Sequence, residues 1–110
     1  MKNTELLNRF FADENKRDWQ NFRSYLHPQV MWFVHTEDSH TPIAGREDFL
    51  DCVITDSRTS DVTFTCERTE VSASGNRIAA FLKNSDGSRA LKIIDFEDGL
   101  IKWVHEFTLQ

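Results

Sequence analysis

The chain has 110 residues, 39% of them hydrophobic, and a net charge of −5 at pH 7. This composition predicts one folded domain over residues 1–110 rather than a disordered chain. No run of Lys or Arg offers the basic surface that a nucleic-acid-binding protein needs, so no nucleic-acid partner is expected. No stretch approaches the ~20 apolar residues that span a bilayer, and the N-terminus lacks an apolar signal segment, so we expect a cytoplasmic protein without a membrane partner.

The first part of the chain predicts two helices and a strand. Residues 4–15 carry apolar side chains at helical spacing, and Asp18 can cap a second helix that ends at His27 and Pro28. Residues 29–35 are rich in strand-forming side chains. The two faces of this strand carry Val30, Trp32 and Val34 on one side and Met31, Phe33 and His35 on the other.

The middle of the chain predicts a loop, a third helix and the start of a sheet. Residues 36–42 are polar and predict a rim loop, and the apolar stripe that follows Gly45 predicts an amphipathic helix. Alternation from Val62 onwards predicts a strand. Because a later apolar residue falls out of phase, we expect a bulge near Arg68 or Thr69.

The last two strands are predicted to form a hairpin. Asp98 and Gly99 suit a two-residue turn, since both central positions of that turn need positive φ. The resulting register pairs Phe96 with Ile101 and fixes which side chains share a face with Glu106. On that face lie Arg89, Leu91, Ile93 and Val104, and on the reverse face lie Trp103, His105 and Phe107.

Both faces of this hairpin are partly apolar, which indicates that each is covered. Neighbouring residues of a strand point to opposite faces, so only one of His105 and Glu106 can face a cavity beneath the helices. Taken alone, the residues favour a core that contains Trp103, with His105 in the pocket. If a second copy of the chain covers that face, Glu106 faces the pocket instead.

The order of elements predicts the fold class. Helices followed by four successive antiparallel strands are typical of an α+β fold, in which the helices lie on one face of the sheet. Long, bulged strands curve the sheet into a cone. We therefore expect a cone-shaped, mostly antiparallel sheet wrapped around about three N-terminal helices, with an interior pocket.

Several short stretches carry a resemblance to one family. They are Asp18-Trp19, Leu26–His27–Pro28, the strand with Trp32, Pro42–Ile43–Ala44–Gly45–Arg46–Glu47, Phe96–Glu97–Asp98–Gly99–Leu100–Ile101 and His105–Glu106–Phe107. In this order they resemble the nuclear transport factor 2-like superfamily, and most nearly its SnoaL-like branch, over nearly the whole chain. The resemblance implies a cone-shaped fold, a pocket for small, often cyclic and apolar ligands, and homodimers through the outer face of the sheet.

The resemblance implies no single activity, because members include ketosteroid isomerases, polyketide cyclases, epoxide hydrolases, dehydratases and proteins without chemistry. The steroid isomerases carry three polar groups at positions that match Phe10, Val34 and Leu91, or Lys92 if the register slips by one residue. The required groups are absent from this chain. Proton transfer by that machinery is therefore not expected.

Epoxide hydrolase-like members place an acid in the last strand, between a basic or aromatic residue and an aromatic one. His105, Glu106 and Phe107 match this pattern, so the resemblance directs Glu106 into the pocket. Hydrolases of that type also need a second carboxylate and an arginine. Arg89 is a weak candidate for the arginine, and the sequence places no second carboxylate.

Glu106 is therefore the candidate catalytic residue. In an apolar pocket its carboxylate would be desolvated, which suits a general acid or base, whereas near the end of a fraying strand it would be solvated and inert. His105 takes this role if the opposite face lines the pocket. The predicted ligand pocket consists of Phe10, Tyr25, Trp32, Val34, Leu91, Ile93 and Val104. For Tyr25 and Trp32, ordinary core packing is the alternative.

The predicted function is binding of a small apolar or cyclic molecule, with isomerase-, cyclase- or hydrolase-type chemistry by general acid/base catalysis. The alternative is a non-catalytic ligand-binding or association domain of the same fold. The predicted partner is a second copy of the chain, bound through Trp103, His105 and Phe107. No cofactor is expected, because the Gly-rich loops that bind phosphate groups are absent.

No metal site is predicted. His35 and His40 flank the acidic residues Glu37 and Asp38, which is a conceivable ligand set. No ligand pair at helical spacing supports it, so a solvated rim loop is the preferred interpretation.

Overall fold

Helices come first along the chain, and most strands follow them. The computed structural model describes residues 1–36 and 40–109, without the side chains of residues 40 and 41. Within these residues the helices are α1 (Asn3–Lys16), α2 (Trp19–Ser24) and α3 (Arg46–Arg58). The strands are β1 (Leu26–His35), β2 (His40–Ala44), β3 (Phe64–Val71), β4 (Arg77–Asn84), β5 (Arg89–Glu97) and β6 (Leu100–Leu109).

Each described helix buries at least one aromatic side chain, and α2 is the one that a side chain caps. α1 buries the four apolar side chains of its stripe and ends at Arg17, whose φ of 61° is left-handed. The Asp18 carboxylate caps α2 by accepting a hydrogen bond from the Asn21 N–H at 3.2 Å. α3 begins directly after Gly45, as the sequence predicts, and continues to Arg58.

α2 ends at Ser24, three residues before the predicted stop at His27. Leu26 already pairs with Ile101 of β6, and the Ile101 N–H donates to the Tyr25 carbonyl at 2.9 Å. This pairing between distant parts of the chain brings residue 26 into a strand before the proline would have ended the helix.

The strands form one curled, unclosed sheet in the order β2-β1-β6-β5-β4-β3. β1 and β6 are parallel, and the other neighbouring strands are antiparallel. The inner face of the sheet packs against the helices, and this contact forms the apolar core. The α+β cone predicted from the order of elements is confirmed.

β2 was not predicted, because the polar character of residues 36–42 favoured a loop. The strand forms by antiparallel pairing with β1, in which Ile43 lies opposite Trp32. Glu37 and Asp38 lie outside the described residues, as does the side chain of His40. The metal-ligand set considered for the rim loop therefore lies outside the described part of the chain.

Two bulges, in the pairings of β3 with β4 and of β5 with β6, shape the sheet, and the pairing of β1 with β6 also shifts register, between Leu26 and Met31. The pairing of β3 with β4 shifts between Cys66 and Arg68, which confirms the predicted bulge at its N-terminal limit. The pairing of β5 with β6 shifts between Asp95 and Phe96, where Asp95 lies opposite Trp103. Lys102 is therefore the extra residue of β6, and no bulge was predicted there.

The second bulge corrects the predicted hairpin register. The turn itself is as predicted, with φ of 54° at Asp98 and 74° at Gly99. Beyond the bulge, every residue of β5 has a partner one position further along β6 than predicted. Glu106 therefore lies opposite Lys92, where Leu91 was expected.

Among the described residues, no helix combines the length and the apolar character needed to cross a membrane.

Candidate functional site

A cavity of about 210 Å³ lies between the helices and the inner face of the sheet. Its apolar walls are Phe10, Trp32, Phe49, Val53, Val62, Phe64, Leu82, Ala90 and Val104. Its polar lining includes Glu14, Arg17, Asp56, Ser57, Ser60, Asn84, Lys92 and Glu106. Apolar walls with a few convergent polar groups are typical of small-molecule sites.

The charged end of the cavity is built around Lys92. Its ammonium group lies 3.5 Å from the Glu106 carboxylate, and the two side chains are only 15% and 25% exposed. Burial disfavours the charged form of Lys92, but the nearby carboxylates of Glu14 and Glu106 outweigh burial and raise the pKa of Lys92. The three residues therefore form a carboxylate–ammonium–carboxylate cluster, in which Lys92 is charged at neutral pH.

Aromatic rings enclose the other end and flank this cluster. Trp32 and Phe49 have ring centroids 4.9 Å apart, and Phe10 stacks on Phe22 at 4.3 Å. The Lys92 ammonium lies 5.4 Å from the ring centroid of Phe64, within the range of a cation–π contact. The walls thus combine a large apolar surface with ring faces that tolerate positive charge.

The rim of the cavity is fixed by hydrogen bonds to backbone groups. The Arg17 guanidinium donates to the carbonyls of Ser60 and Val62, each at 3.1 Å. Asn15 donates to the Phe64 carbonyl at 2.8 Å and accepts from the Phe64 N–H at 3.1 Å. These contacts attach the end of α1 to the start of β3, so the guanidinium of Arg17 holds the rim together.

Four of the predicted pocket and catalytic residues line the cavity together: Phe10, Trp32, Val104 and Glu106. Val34 lies beside Glu106 in the register of β1 and β6, on the same face of the sheet, but is not part of the lining. Tyr25 is also outside the lining, because its hydroxyl donates to the Asp13 carboxylate at 2.8 Å. Burial and this hydrogen bond raise the pKa of Tyr25.

The bulge at Lys102 puts the remaining predicted residues on the outer face. Leu91 lies opposite Phe107, and Ile93 lies opposite His105. Arg89 shares their face and forms an ion pair with Glu67 at 3.3 Å. The predicted grouping of these three side chains with Glu106 is therefore wrong, because a register shift of one residue moves a side chain to the other face of a sheet.

The cavity lining contains charged residues that the sequence did not assign to the pocket, namely Glu14, Arg17, Asp56 and Lys92. Glu14 follows Phe10 by four residues on α1, so helical spacing alone places it on the buried face. Lys92 had no comparable signal, since its inward orientation depends on the bulge. Lys92 places a cation 3.5 Å from the Glu106 carboxylate, and Glu14 places a second carboxylate in the cavity lining.

The outer face carries a row of aromatic and histidine side chains. Phe33 stacks on His105 with centroids 4.6 Å apart, and His35 stacks on Phe107 at 4.4 Å. His35 Nε2 lies 3.0 Å from His105 Nδ1, so these rings meet edge to edge through a hydrogen bond. Trp103 continues the row and is 40% exposed. His105 thus lies on the face opposite the cavity.

Within the described residues, one group has the spacing of metal ligands: His27, Glu97 and Asp98, whose ligand atoms lie within 4.8 Å of one another. Nδ1 of His27 accepts a hydrogen bond from the Gln29 N–H at 3.0 Å, and Nε2 lies 3.4 Å from the Glu97 carboxylate. Nδ1 of His27 is thus occupied by a protein hydrogen bond, and Nε2 faces Glu97, a member of the same group.

Comparisons with known proteins show the fold. No protein-family model and no curated protein matches the chain. A proposed ketosteroid isomerase from Kribbella flavida has 22% identity and a TM-score of 0.84, over 98% of this chain and 78% of that one. An NTF2-like protein of unknown function from Cytophaga hutchinsonii has 12% identity and a TM-score of 0.80, over 99% and 91%. A proposed SnoaL-like polyketide cyclase from Jannaschia sp. CCS1 has 15% identity and a TM-score of 0.83, over 96% and 84%.

The chain therefore has the fold of the nuclear transport factor 2-like and SnoaL-like structures, as the resemblance in its sequence predicted. At these identities the likeness is one of fold, and any activity has to be argued from the cavity.

Proposed function

We propose that the protein binds a small organic molecule in the cavity and that Glu106 transfers a proton to or from it. The observation that carries this proposal is the Glu106–Lys92 pair, which lies beside apolar and aromatic walls in the lining of the cavity. Charged side chains are rarely buried without a reason, and sites of chemistry are one common reason. The reaction class is isomerase-, cyclase- or hydrolase-type, by general acid/base catalysis.

The three charged residues have separate roles in this proposal. Glu106 is the base in this proposal, and the ammonium of Lys92 lies 3.5 Å from its carboxylate. Lys92 also stabilises negative charge that develops on the substrate when a proton leaves it. Glu14 is the second carboxylate of the cluster and balances the charge of Lys92. This set supports the hydrolase-type alternative, in which Glu106 takes the proton of an attacking water.

A homodimer through the outer face belongs to the same proposal. The row of Phe33, His35, Trp103, His105 and Phe107 covers strands β1 and β6 on the side away from the helices. An aromatic surface of this kind is typical of a face that another protein covers. A second copy of the chain would bury it and leave the cavity accessible from the rim.

The alternative function is ligand binding without catalysis. The ion pair with Lys92 favours it, since a carboxylate that is already paired can serve packing alone.

The test is a screen of small apolar and cyclic compounds by NMR chemical-shift changes, followed by turnover assays on each bound compound. We expect bound compounds to shift resonances of cavity residues, and Glu106→Gln to lower turnover by about 10²-fold or more, with affinity changed only a few-fold. Glu5→Gln, which removes an exposed charge from the first turn of α1, is the control. We expect it to keep both the turnover and the affinity of the wild type.

The outcomes separate the alternatives. Equal turnover in wild type and Glu106→Gln would contradict the role of Glu106. Binding without turnover of any bound compound would support the non-catalytic alternative. Shifts confined to residues outside the cavity would contradict the proposed site.

A further inference from the structure

The charged end of the cavity has one more negative charge than positive. Glu14 and Glu106 contribute two carboxylates, and Lys92 contributes one ammonium group. The other cation of the lining, Arg17, donates to two backbone carbonyls at the rim. The Asp56 carboxylate also lines the cavity and offsets the charge of Arg17, so the lining as a whole keeps an excess of one negative charge. An anionic ligand would therefore meet net repulsion, whereas a cation would offset the excess charge.

The walls favour the same sign of charge. Four aromatic rings line the cavity, from Phe10, Trp32, Phe49 and Phe64. The face of an aromatic ring is the negative part of its quadrupole and attracts ammonium groups. Lys92 shows that this environment accepts such a group, since its Nζ lies 5.4 Å from the Phe64 centroid.

The volume limits the size of the ligand. The cavity measures about 210 Å³. An engineered cavity of about 150 Å³ in another protein holds one benzene molecule. The space here is therefore that of one ring with a short substituent, and a fused two-ring compound needs a wider chamber.

We propose that this cavity selects a one-ring organic amine in its cationic form, with the ring between the aromatic walls and the ammonium group toward Glu14 and Glu106. This inference rests on the proposed ligand-binding function and adds the charge and size of the ligand to it. The excess of carboxylates and the aromatic walls support a positive charge on the ligand. The volume of the cavity supports a ligand with a single ring.

The test compares compounds that share a ring and a one-carbon arm but differ in charge: benzylamine, benzyl alcohol and benzoate at pH 7.5. Affinities are measured by NMR titration on wild-type protein. We expect benzylamine to bind about tenfold more tightly than benzyl alcohol, and benzoate to bind most weakly. A fourth probe, 1-naphthylmethylamine, keeps the charge but adds a ring, and we expect it to bind more weakly than benzylamine.

Variants show whether the carboxylates carry the selectivity. Glu14→Gln should lower the affinity for benzylamine about tenfold and change the affinity for benzyl alcohol less than twofold, because only the charged probe loses an ionic partner. Glu5→Gln on the same helix removes a charge outside the cavity and should change neither. Equal losses for both probes in Glu14→Gln would show a general structural effect and overturn the inference.

The result also distinguishes this inference from the proposed function. If benzyl alcohol or benzoate binds in the cavity as tightly as benzylamine, the charge selectivity is wrong while ligand binding stands. Equal or tighter binding of the two-ring amine overturns the size limit alone. If all four probes leave the cavity resonances unchanged, the inference fails, and the compound screen then decides the proposed function separately.

Discussion

The Lys92 ammonium lies 3.5 Å from the Glu106 carboxylate because a bulge at Lys102 brings the two residues opposite each other on β5 and β6. Without the bulge, Leu91 would face Glu106 and the carboxylate would lack this partner. The bulge therefore determines both the charge of the cavity and the stability of its polar end.

Replacing Lys92 tests how much this pair stabilises the fold. Lys92→Met keeps most of the side-chain volume but leaves two carboxylates close together, so we expect the free energy of unfolding to fall by about 2 kcal/mol. In the double variant Lys92→Met/Glu106→Gln one of the uncompensated charges is gone, and part of the loss should be recovered. Urea unfolding of wild type, both single variants and the double variant measures the coupling, and strictly additive losses would contradict it.

Stability should decrease at alkaline pH. Glu14 and Glu106 more than offset burial and raise the pKa of Lys92, so the native state keeps this proton at a pH where the unfolded chain has lost it. Lys92 therefore stabilises the fold below its unfolded pKa, about 10.4, and this contribution disappears as pH rises through the native value.

Tyr25 acts in the same direction, since burial and the bond to Asp13 raise its pKa as well. The two contributions separate in variants: Lys92→Met and Tyr25→Phe should each flatten part of the alkaline decline of the free energy of unfolding between pH 9 and 11. Unchanged slopes in both variants would contradict the assignment.

The hydrogen bonds of Asn15 with the backbone of Phe64 should stabilise the rim of the cavity. Both bonds connect α1 with β3, at 2.8 and 3.1 Å. Asn15→Ala removes them and leaves a half-buried carbonyl and N–H to find other partners, so we expect a loss of about 1–3 kcal/mol. Asn15→Asp keeps the acceptor and should lose less. Thermal unfolding compares the two, and equal losses would show that the bond accepted from the Phe64 N–H contributes nothing.

The hairpin shows what the sequence could and could not predict. The local backbone preference of Asp98 and Gly99 predicts the turn. Within β6, Val104 and Glu106 lie on one face and Trp103 and His105 on the other. This alternation does not depend on the partner strand. Which residues of β5 join each face does depend on register, and the extra residue at Lys102 changes it. The sequence therefore placed Glu106 in the pocket once the pocket-lining face of β6 was chosen. It did not predict that Lys92 lies opposite Glu106.

The bulge had no local signal because distant contacts determine it. Ile101 donates to the Tyr25 carbonyl and is fully buried, and Lys102 is 9% exposed with its ammonium 3.4 Å from the Gln29 side chain. β2 is a similar case, since a polar segment forms a strand when Ile43 pairs with Trp32. In both places pairing between remote segments overrides the local pattern.

His105 on the outer face should make stability sensitive to acid. Burial, followed by the neighbouring His35, lowers the pKa of His105; Asp95 opposes this shift, and Arg77 adds to it. The native state therefore binds fewer protons than the unfolded chain just below the ordinary value of about 6.5, so the free energy of unfolding falls as pH drops through that range. His105→Phe keeps the stack on Phe33 and should show a smaller decline between pH 7 and 5. An equal decline would contradict the assignment to His105.

The proposed homodimer makes Trp103 the most informative surface residue. It is 40% exposed at one end of the aromatic row, and a lysine there would place an unpaired charge in the interface, at a cost that desolvation makes large. We expect sedimentation analysis to give twice the monomer mass for wild type and the monomer mass for Trp103→Lys. Val71, 47% exposed on β3, is the matched control: Val71→Lys should remain dimeric, since the row on β1 and β6 is intact. A monomeric wild type would contradict the dimer, and dissociation of both variants would show that the contact is not specific to the aromatic row.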